Sequence, residues 1–301
     1  MRGCYDRFAD VMPDGSYLAA GTVGFETWPK TRRAEAEALG QSVRDHPNRR
    51  GEEVVVGMPK LFVQRSLDQG RTWQRREWPV PGYRLTAFPR RVRLTDGTIL
   101  LLIYGRNKED SRGQTFVFRS DTRGEDWQLI PMASSISGVD GDELGLIEVA
   151  PGRVLALIRL EAKGKLTEGH LLESWSEDCG RTWSQPLGTT IEGYPTHRLR
   201  LQGWRLLCAV TYRWAPMGIR ALLSNDDGLT RDTSSPIILR DDGGTVSSLW
   251  FNAVGHEPGR GGSDLGYPIT VQFADGSLFT CYWFTGPDAI THAAATRWRV
   301  G

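Results

Sequence analysis

Hydrophobic and polar residues alternate along most of this chain with the two-residue period of a half-buried β-strand, and pairs of such runs flank short turns that contain glycine. Glycine tolerates the positive φ that tight hairpin turns require, so each pair predicts a β-hairpin. Five such hairpins can be counted, at residues 7–23, 88–105, 144–160, 194–210 and 267–283. The chain is therefore predicted to be all-β.

A second motif, S-x-D-x-G-x-T-W, alternates with these hairpins at residues 66–73, 120–127 and 176–183, with a degenerate copy at 224–231. In this box the Asp carboxylate can accept backbone N–H groups across its own turn, glycine provides a left-handed position, and tryptophan begins the next strand. Each box therefore predicts a further hairpin. Four strands in every repeat of about fifty residues are typical of a β-propeller blade, which buries its faces only against neighbouring blades.

Helical periodicity is confined to a charged insertion at about residues 27–53, where RRAEAEALG at 32–40 predicts a short helix that ends at Gly40. The repeats run through nearly all of the remaining sequence. We therefore predict one propeller domain over residues 1–301 that carries this insertion. The box residues Trp73, Trp127 and Trp183 are predicted to be structural.

Composition narrows the functional classes. The chain carries 37 Lys and Arg against 36 Asp and Glu, so it has no net basic field that would hold nucleic acid. It has no apolar run long enough for a membrane span. The N-terminus lacks a stretch of signal-peptide character, so we expect a cytoplasmic protein or a mature secreted form without its leader.

The four cysteines are far apart and lack the spacing of metal ligands. Neither a metal site nor an organic cofactor is predicted. Cys208 and Cys281 lie in apolar, strand-like runs, where a free thiol is expected to serve as a small core residue.

The four boxes resemble the Asp-box, or BNR, repeats of the sialidase (neuraminidase) superfamily, and the resemblance extends from about residue 7 to residue 299. It implies a β-propeller of four-stranded antiparallel blades. Propellers of that superfamily have six blades, whereas five hairpins are countable here and the last blade ends after its third strand, at 290–300. We expect ring closure to come from residues 2–6, from a partner, or from sequence missing at the N-terminus.

The strand order of such blades predicts which candidate functional residues share one face of the propeller. Connections between antiparallel strands alternate between the two strand ends, so the glycine hairpins and the boxes share one face of the propeller and the remaining connections share the other. Several basic, acidic and phenolic side chains stand beside these remaining connections, and we expect them to surround one mouth of the central channel. They are Arg7, Glu143, Arg159, Tyr194, Arg220 and Tyr267.

Sialidases bind the substrate carboxylate with three arginines, and the resemblance implies this role for Arg7, Arg159 and Arg220. Planar guanidinium groups form paired, charge-assisted hydrogen bonds with a carboxylate, which selects an acidic sugar. The resemblance also implies that Tyr267 is the nucleophile and that Glu143 activates it. A neutral phenol suits a substrate whose own carboxylate would repel an anionic nucleophile. Because phenol titrates near pH ~10, it requires a neighbouring base.

The resemblance further implies an acid/base Asp that protonates the leaving group, in the first connection between a second and a third strand; that region contains Glu26, Asp45 and His46, and Asp45 is the candidate. Tyr194 and His197 are expected to line the pocket.

These candidates also have structural alternatives: Arg159 could extend into solvent or pair with Glu161, and Arg220 could stack structurally beside the Trp-containing segment RWAPMGIR. Tyr267 could pack as a core aromatic residue, His197 could be a hydrogen-bonded structural histidine, and Glu143 could be a surface carboxylate or exchange roles with Asp142.

These observations favour a hydrolase of sialidase type, an exo-glycosidase that removes a terminal acidic sugar such as sialic acid from a glycan with retention of configuration. Two alternatives stay open. One is a non-catalytic propeller that binds carbohydrate or protein through the same residues, because Asp boxes also occur in propellers without sialidase activity. The other is a glycosidase that acts on a different sugar.

Overall fold

The computed structural model describes twelve segments of the chain: residues 4–23, 27–38, 43–47, 53–57, 60–78, 83–107, 113–132, 139–162, 169–229, 233–243, 265–288 and 290–301. The strands are β1 (Cys4–Val11), β2 (Tyr17–Val23), β3 (Thr27–Pro29), β4 (Val43–Pro47), β5 (Glu53–Gly57), β6 (Lys60–Ser66), β7 (Gln74–Trp78), β8 (Tyr83–Arg93), β9 (Ile99–Asn107), β10 (Gly113–Ser120), β11 (Gln128–Pro131), β12 (Val139–Ala150), β13 (Arg153–Ala162), β14 (His170–Ser176), β15 (Leu187–Glu192), β16 (Thr196–Arg200), β17 (Leu206–Tyr212), β18 (Met217–Ser224), β19 (Ile237–Gly243), β20 (Gly266–Gln272), β21 (Leu278–Thr285) and β22 (Thr291–Trp298).

Within these residues the strands form four four-stranded sheets, in the orders β1-β2-β6-β7 (sheet I), β11-β10-β9-β8 (sheet II), β12-β13-β14-β15 (sheet III) and β16-β17-β18-β19 (sheet IV). Sheet V has the order β20-β21-β22. All five hairpins expected from the glycine turns are present as neighbouring strands, and each box connects the last two strands of its sheet. Sheet V has three strands in the described part of the chain.

The charged insertion forms a short 3-10 turn at Lys30–Arg32 and the helix α1 (Arg33–Ala38), which confirms the predicted helix. The insertion also contains a small sheet of order β3-β5-β4, which the sequence pattern did not predict. A compact apolar cluster of Trp28, Ala36 and Val55 joins α1 to this sheet.

The box turns form through hydrogen bonds between residues close in sequence. In the first box, Ser66 Oγ accepts the N–H of Gly70 at 2.7 Å, and Asp68 accepts both the N–H and the hydroxyl of Thr72 at 2.8 and 2.6 Å. The indole N–H of Trp73 donates to the Gly70 carbonyl at 3.0 Å. The box sequence therefore encodes its own turn.

The second box makes the same turn without an acidic acceptor at the third position. Thr122 stands where the first box has Asp68, and its hydroxyl accepts the N–H of Asp126 at 2.7 Å. Trp127 is buried and stacks on Phe118, with ring centroids 4.9 Å apart. A hydroxyl can thus replace the carboxylate as the acceptor that closes the turn.

The chain divides into two compact units: Met1–Glu143 with Asp178–Thr182, and Leu144–Glu177 with Trp183–Gly301. In the first unit, an apolar core lies between sheets I and II and includes Leu18, Leu61 and Phe118. In the second unit, one core lies between sheets III and IV, and two smaller cores join sheet IV to sheet V. The prediction of a single domain stays a prediction.

Burial of the cysteines follows the alternation of the strands. Cys208 is 5% exposed and packs in the core between sheets III and IV, as predicted. The prediction that Cys281 is a core residue is wrong, because Cys281 is exposed. In β21 buried and exposed positions alternate, and Cys281 lies on the face of sheet V that also carries exposed Ile269. Among the described residues, none of the helices is long and apolar enough to cross a membrane.

Candidate functional site

The strands of each of sheets I to V have two distinct ends. We call the end with the glycine hairpin and the box turn the box end, and we call the opposite end the far end. In sheet IV the far end comprises Tyr194, before β16, and residues 213–216, between β17 and β18. Five of the predicted site residues belong to the far ends of sheets III to V in this unit: Arg159, Tyr194, His197, Arg220 and Tyr267.

At the far end of sheet III, Arg159 is close to the end of β13, and its guanidinium lies over the ring of Tyr194 at 4.9 Å from the centroid. Tyr194 is only 4% exposed, and its backbone N–H donates to the Thr211 carbonyl at 2.7 Å. The Tyr194 ring packs in turn on Trp214, with centroids 5.4 Å apart. Arg159 is therefore supported by an aromatic residue that is itself fixed.

Arg220 is connected to the same tryptophan, Trp214, through a second tyrosine. Trp214 packs on Tyr212 with centroids 5.1 Å apart, and the Arg220 guanidinium lies over the Tyr212 ring at 3.2 Å from its centroid. The three rings thus connect two of the predicted arginines, in the order Arg159, Tyr194, Trp214, Tyr212, Arg220. We call these five residues the arginine–aromatic cluster.

Gly169 makes room for the central indole of this cluster. It has a φ of +73°, and a Cβ built on it would overlap the Trp214 ring. Gly169 also accepts a backbone hydrogen bond from Gly193 at 3.1 Å, which joins the turn before β14 to the turn before β16. Any larger residue at position 169 would displace Trp214 and, with it, the spacing of the cluster.

Arg220 differs from a neighbouring arginine of sheet IV in its electrostatic environment. Arg240 forms paired hydrogen bonds with Asp242 at 2.6 and 2.7 Å, and this contact raises the pKa of Arg240 and lowers the pKa of Asp242. Arg220, by contrast, has no carboxylate within 4.0 Å among the residues that the structure describes. It is a half-buried cation whose charge an anionic ligand could balance.

Tyr267 is the second residue of β20 and has a left-handed backbone, with a φ of +54°. A bulky side chain rarely adopts this conformation, which costs on the order of 1–3 kcal/mol and is often found at functional sites. The backbone N–H of Tyr267 donates to the Thr211 hydroxyl at 3.1 Å, and the ring stacks on Trp283 with centroids 4.3 Å apart. These two contacts hold the ring in position.

The close approach of Thr211 explains the glycine before this tyrosine. Gly266 has a φ of +141°, and a Cβ at this position would lie 2.5 Å from Thr211 Oγ1. Thr211 is fully buried, and it also accepts the Tyr194 N–H through its carbonyl. One residue at the end of β17 therefore orients both Tyr194 and Tyr267.

His197 contacts the neighbouring sheet through its ring. Its Nδ1 accepts the backbone N–H of Thr270 at 3.2 Å, which requires this nitrogen to be unprotonated. The contact joins β16 to β20 and gives His197 a structural role. Its predicted role in lining a substrate pocket stays a prediction.

Three predicted site residues belong to the first unit. Glu143 is buried in β12 with 4% exposure. Asp45 is exposed in β4 and forms an ion pair with Arg33 at 2.8 Å, a contact that binds the insertion together. The backbone of Arg7 lies in β1, and its side chain is outside the described part of the chain. The roles of these residues as base, acid and carboxylate ligand stay predictions.

Sequence reasoning did not identify Tyr212, Trp214 or Trp283 as parts of the site, and it also missed Thr211. Their one common signal is position, because all four lie at or beside the far ends of strands β17 and β21. Among the described residues, no group of three His, Cys, Asp or Glu side chains is arranged to hold a metal ion.

Comparison with known proteins gives the family and the fold. The model of the BNR repeat-like domain matches residues 46–280, and a comparison with curated proteins found no significant match. A protein of unknown function from Dyadobacter fermentans has a similar crystal structure, with a TM-score of 0.73 and 24% identity over 99% of this chain and 77% of that one.

Two proteins with named activities also have similar structures. A mutant of the NanB sialidase from Streptococcus pneumoniae is 10% identical, with a TM-score of 0.62 over 99% of this chain and 56% of that one. The α-L-arabinanase from Penicillium chrysogenum, solved with arabinobiose, is 15% identical, with a TM-score of 0.57 over 99% of this chain and 81% of that one. This chain thus spans little more than half of the NanB chain.

At such low identity these similarities establish the fold and not the activity. They confirm the predicted fold class, an all-β, sialidase-like β-propeller of four-stranded antiparallel blades. The family model covers well over half of the sequence, in the region that contains all four boxes. The chain therefore belongs to the BNR repeat-like domain family.

Proposed function

We propose that this protein is an exo-glycosidase of sialidase type, which removes a terminal acidic sugar from a glycan with retention of configuration. The observation that carries this proposal is the arginine–aromatic cluster. Arg159 and Arg220 are joined by a series of packed, tilted rings at the far ends of sheets III and IV, and the backbone N–H groups of Tyr194 and Tyr267 both donate to Thr211. Cations and a phenol that are distant in sequence thus share one scaffold.

The cluster suits the binding of a carboxylate. A guanidinium that stacks on a ring uses its face for that contact and keeps its N–H edge for hydrogen bonds in the same plane. Stacking also reduces the rotamer freedom that an arginine would lose on binding. Arg220 has no carboxylate partner among the described residues, so we assign it as the main ligand of the substrate carboxylate, and we assign Arg159, at the other end of the cluster, as a second ligand.

In the proposed reaction the Tyr267 oxygen attacks the anomeric carbon while the bond to the leaving-group oxygen breaks. A carboxylate base accepts the phenolic proton, and an acid donates a proton to the leaving group; Glu143 and Asp45 are the candidates that the sequence resemblance gives for these two roles. Water then attacks the same carbon and gives a proton to the spent acid, while the bond to Tyr267 breaks and the base returns its proton to the phenolate oxygen; two inversions give overall retention. The left-handed backbone of Tyr267 supports its assignment, since such a conformation is costly and is held here by Thr211.

The test is hydrolysis of a fluorogenic sialoside together with binding of free sialic acid. We expect Tyr267→Phe to reduce turnover by about a thousandfold or more and to retain binding, because it removes only the attacking oxygen. Arg220→Lys should weaken binding by about tenfold or more, since an ammonium cannot reproduce the paired contact. Tyr282→Phe is the matched control in the same sheet, because its hydroxyl contacts Thr296 within sheet V and has no proposed role. Wild-type protein that neither cleaves nor binds the acidic sugar would refute the proposal.

A second candidate function is hydrolysis of a different sugar. The similarity to an arabinanase shows that this fold also occurs in an enzyme named for another glycan. The same variants distinguish the candidates, because a neutral substrate such as an arabinan oligosaccharide does not need Arg220. Cleavage of arabinan that is unaffected by Arg220→Lys would favour this second function. Binding of sialic acid without any cleavage would instead favour a carbohydrate-binding propeller.

A further inference from the structure

Left-handed backbone conformations single out one more residue outside the proposed catalytic site. Six residues other than glycine have a positive φ in the described part of the chain. Four of them occupy the same position of the box, immediately before its glycine: Gln69, Arg123, Cys179 and Asp227. The repeat itself explains these four. The remaining two are Tyr267, which belongs to the proposed catalytic site, and Trp204.

Trp204 occupies a position that other hairpins reserve for glycine. Its N–H donates to the Leu201 carbonyl, in the same way that Gly15, Gly97 and Gly276 donate to Met12, Leu94 and Phe273. Those glycines have φ values of +81°, +90° and +79°, and Trp204 has +78°. The turn thus requires a left-handed residue here, and this sequence provides the bulkiest side chain at a conformational cost.

Burial does not compensate for that cost. Trp204 is 80% exposed, the largest value among the exposed large hydrophobic residues of the described chain. Glycine would make the turn without strain, and no apolar core would lose a member. Packing in a core therefore does not explain the indole at the box end of sheet IV, and the costly backbone conformation that carries it points to a function.

The turn that carries the indole is held rigidly. Arg200 donates to the Trp204 carbonyl at 2.9 Å, and it also donates to Asp227 at 2.9 Å in the box turn of the same sheet. The backbone N–H of Gln202 donates to Gln272 of sheet V at 2.7 Å. Such contacts preorganise a binding surface, so little ordering entropy is lost when a ligand binds.

We propose that Trp204 is a sugar-binding platform, separate from the far end, for a neutral pyranose unit of a glycan. A pyranose has an apolar C–H face that stacks on an indole and a rim of hydroxyl groups that form hydrogen bonds. The turns around Trp204 carry polar groups of this kind: exposed Gln202 belongs to the same hairpin, and half-exposed Asp227 is joined to that hairpin through Arg200. A protein interface of standard size buries roughly 800 Å² on each partner, which a single ring at a hairpin tip does not provide.

Saturation-transfer NMR on the full chain with a panel of neutral disaccharides (lactose, maltose and cellobiose) tests this proposal. We expect at least one sugar to bind the wild type, to bind Trp204→Phe more weakly, and to lose binding by tenfold or more in Trp204→Gly. Trp204→Gly should also raise the unfolding midpoint by about 2–4 °C, because it relieves the strained backbone.

Arg123→Gly is the matched control, because it relieves the same conformation in a box turn and changes no aromatic residue. It should raise the midpoint to a similar extent and leave sugar binding unchanged. The proposal is overturned if none of the sugars binds, if binding survives in Trp204→Gly, or if that variant is less stable than the wild type. Because the sugars are neutral and the readout is binding, the result is independent of catalysis through Tyr267.

Discussion

The two ends of the strands differ in how their structure is specified. At the box end, each turn is closed by residues about four positions apart, as in the contact between Asp68 and Thr72. At the far end, the contact between Tyr267 and Thr211 joins residues 56 positions apart. The box end repeats in every four-stranded sheet, whereas the arginine–aromatic cluster occurs once among the described residues. Local, repeated contacts close the turns of the scaffold, whereas the proposed catalytic residues are held by long-range contacts that do not repeat.

This difference predicts that equivalent substitutions have unequal effects at the two ends. The largest contrast is expected between two left-handed glycines. A Cβ added to Gly169 at the far end would meet Trp214, whereas a Cβ added to Gly15 at the box end would have no atom within 4 Å. Their φ values, +73° and +81°, are similar, so alanine brings nearly the same backbone cost at both positions.

We expect Gly15→Ala to lower the unfolding free energy by about 1 kcal/mol. Gly169→Ala should lower it by about 2–4 kcal/mol, because Trp214 must also move. Only Gly169→Ala should weaken binding of an acidic sugar, since its displacement of Trp214 changes the spacing between Arg159 and Arg220. Chemical denaturation measures the first effect, and titration with sialic acid measures the second. Equal losses of stability, with unchanged binding in both variants, would contradict the proposed importance of the cluster.

A smaller effect is expected for Thr211, which we infer to be a positioning residue for Tyr267. Thr211→Val is nearly isosteric but leaves a buried N–H of Tyr267 without its acceptor, so the unfolding free energy should fall by about 1–3 kcal/mol. The ring should lose its orientation, and kcat should fall by about 10- to 100-fold with a smaller change in KM. Thr211→Ser keeps the acceptor and should restore kcat. If Val and Ser reduce kcat equally, the hydroxyl does not position Tyr267.

The same contrast explains how much the sequence could predict. Glycine turns and boxes are local patterns, so the five hairpins, the box turns and the short helix followed from them. The small sheet β3-β5-β4 did not, because its pairing joins distant parts of the insertion. Cys281 was misassigned for a related reason, since alternation alone does not tell which face of a sheet is covered.

For the candidate site, strand parity placed Arg159, Tyr194, Arg220 and Tyr267 at one end of their sheets, which agrees with the structure of the second unit. The order of the strands could not identify Trp214. This residue packs between Tyr194 and Tyr212 because of the conformation of its loop, which leaves no periodic signal in the sequence. Strand order could not reveal the left-handed backbone of Tyr267 or Trp204 either, since an aromatic residue at such a position contradicts its own preference.

The smallest expected effect concerns the charge of a single box and separates two chemical versions of the same turn. Hydrogen bonds from Thr72 lower the pKa of Asp68 from 3.8 to about 2. A lowered pKa means that this carboxylate stabilises the fold above about pH 4 and loses its contribution as the pH falls through 2. The difference in unfolding midpoint between wild type and Asp68→Asn should therefore be largest at pH 5 and should shrink towards pH 2.

The second box closes through the uncharged Thr122 hydroxyl, so Thr122→Ala should lower the unfolding midpoint by an amount that hardly changes over this pH range. Midpoints measured at several pH values, and compared between the two variants, cancel the titration of the other carboxylates. If the decrease in unfolding midpoint caused by Asp68→Asn is as independent of pH as the decrease caused by Thr122→Ala, the charge of Asp68 does not contribute to closing its box.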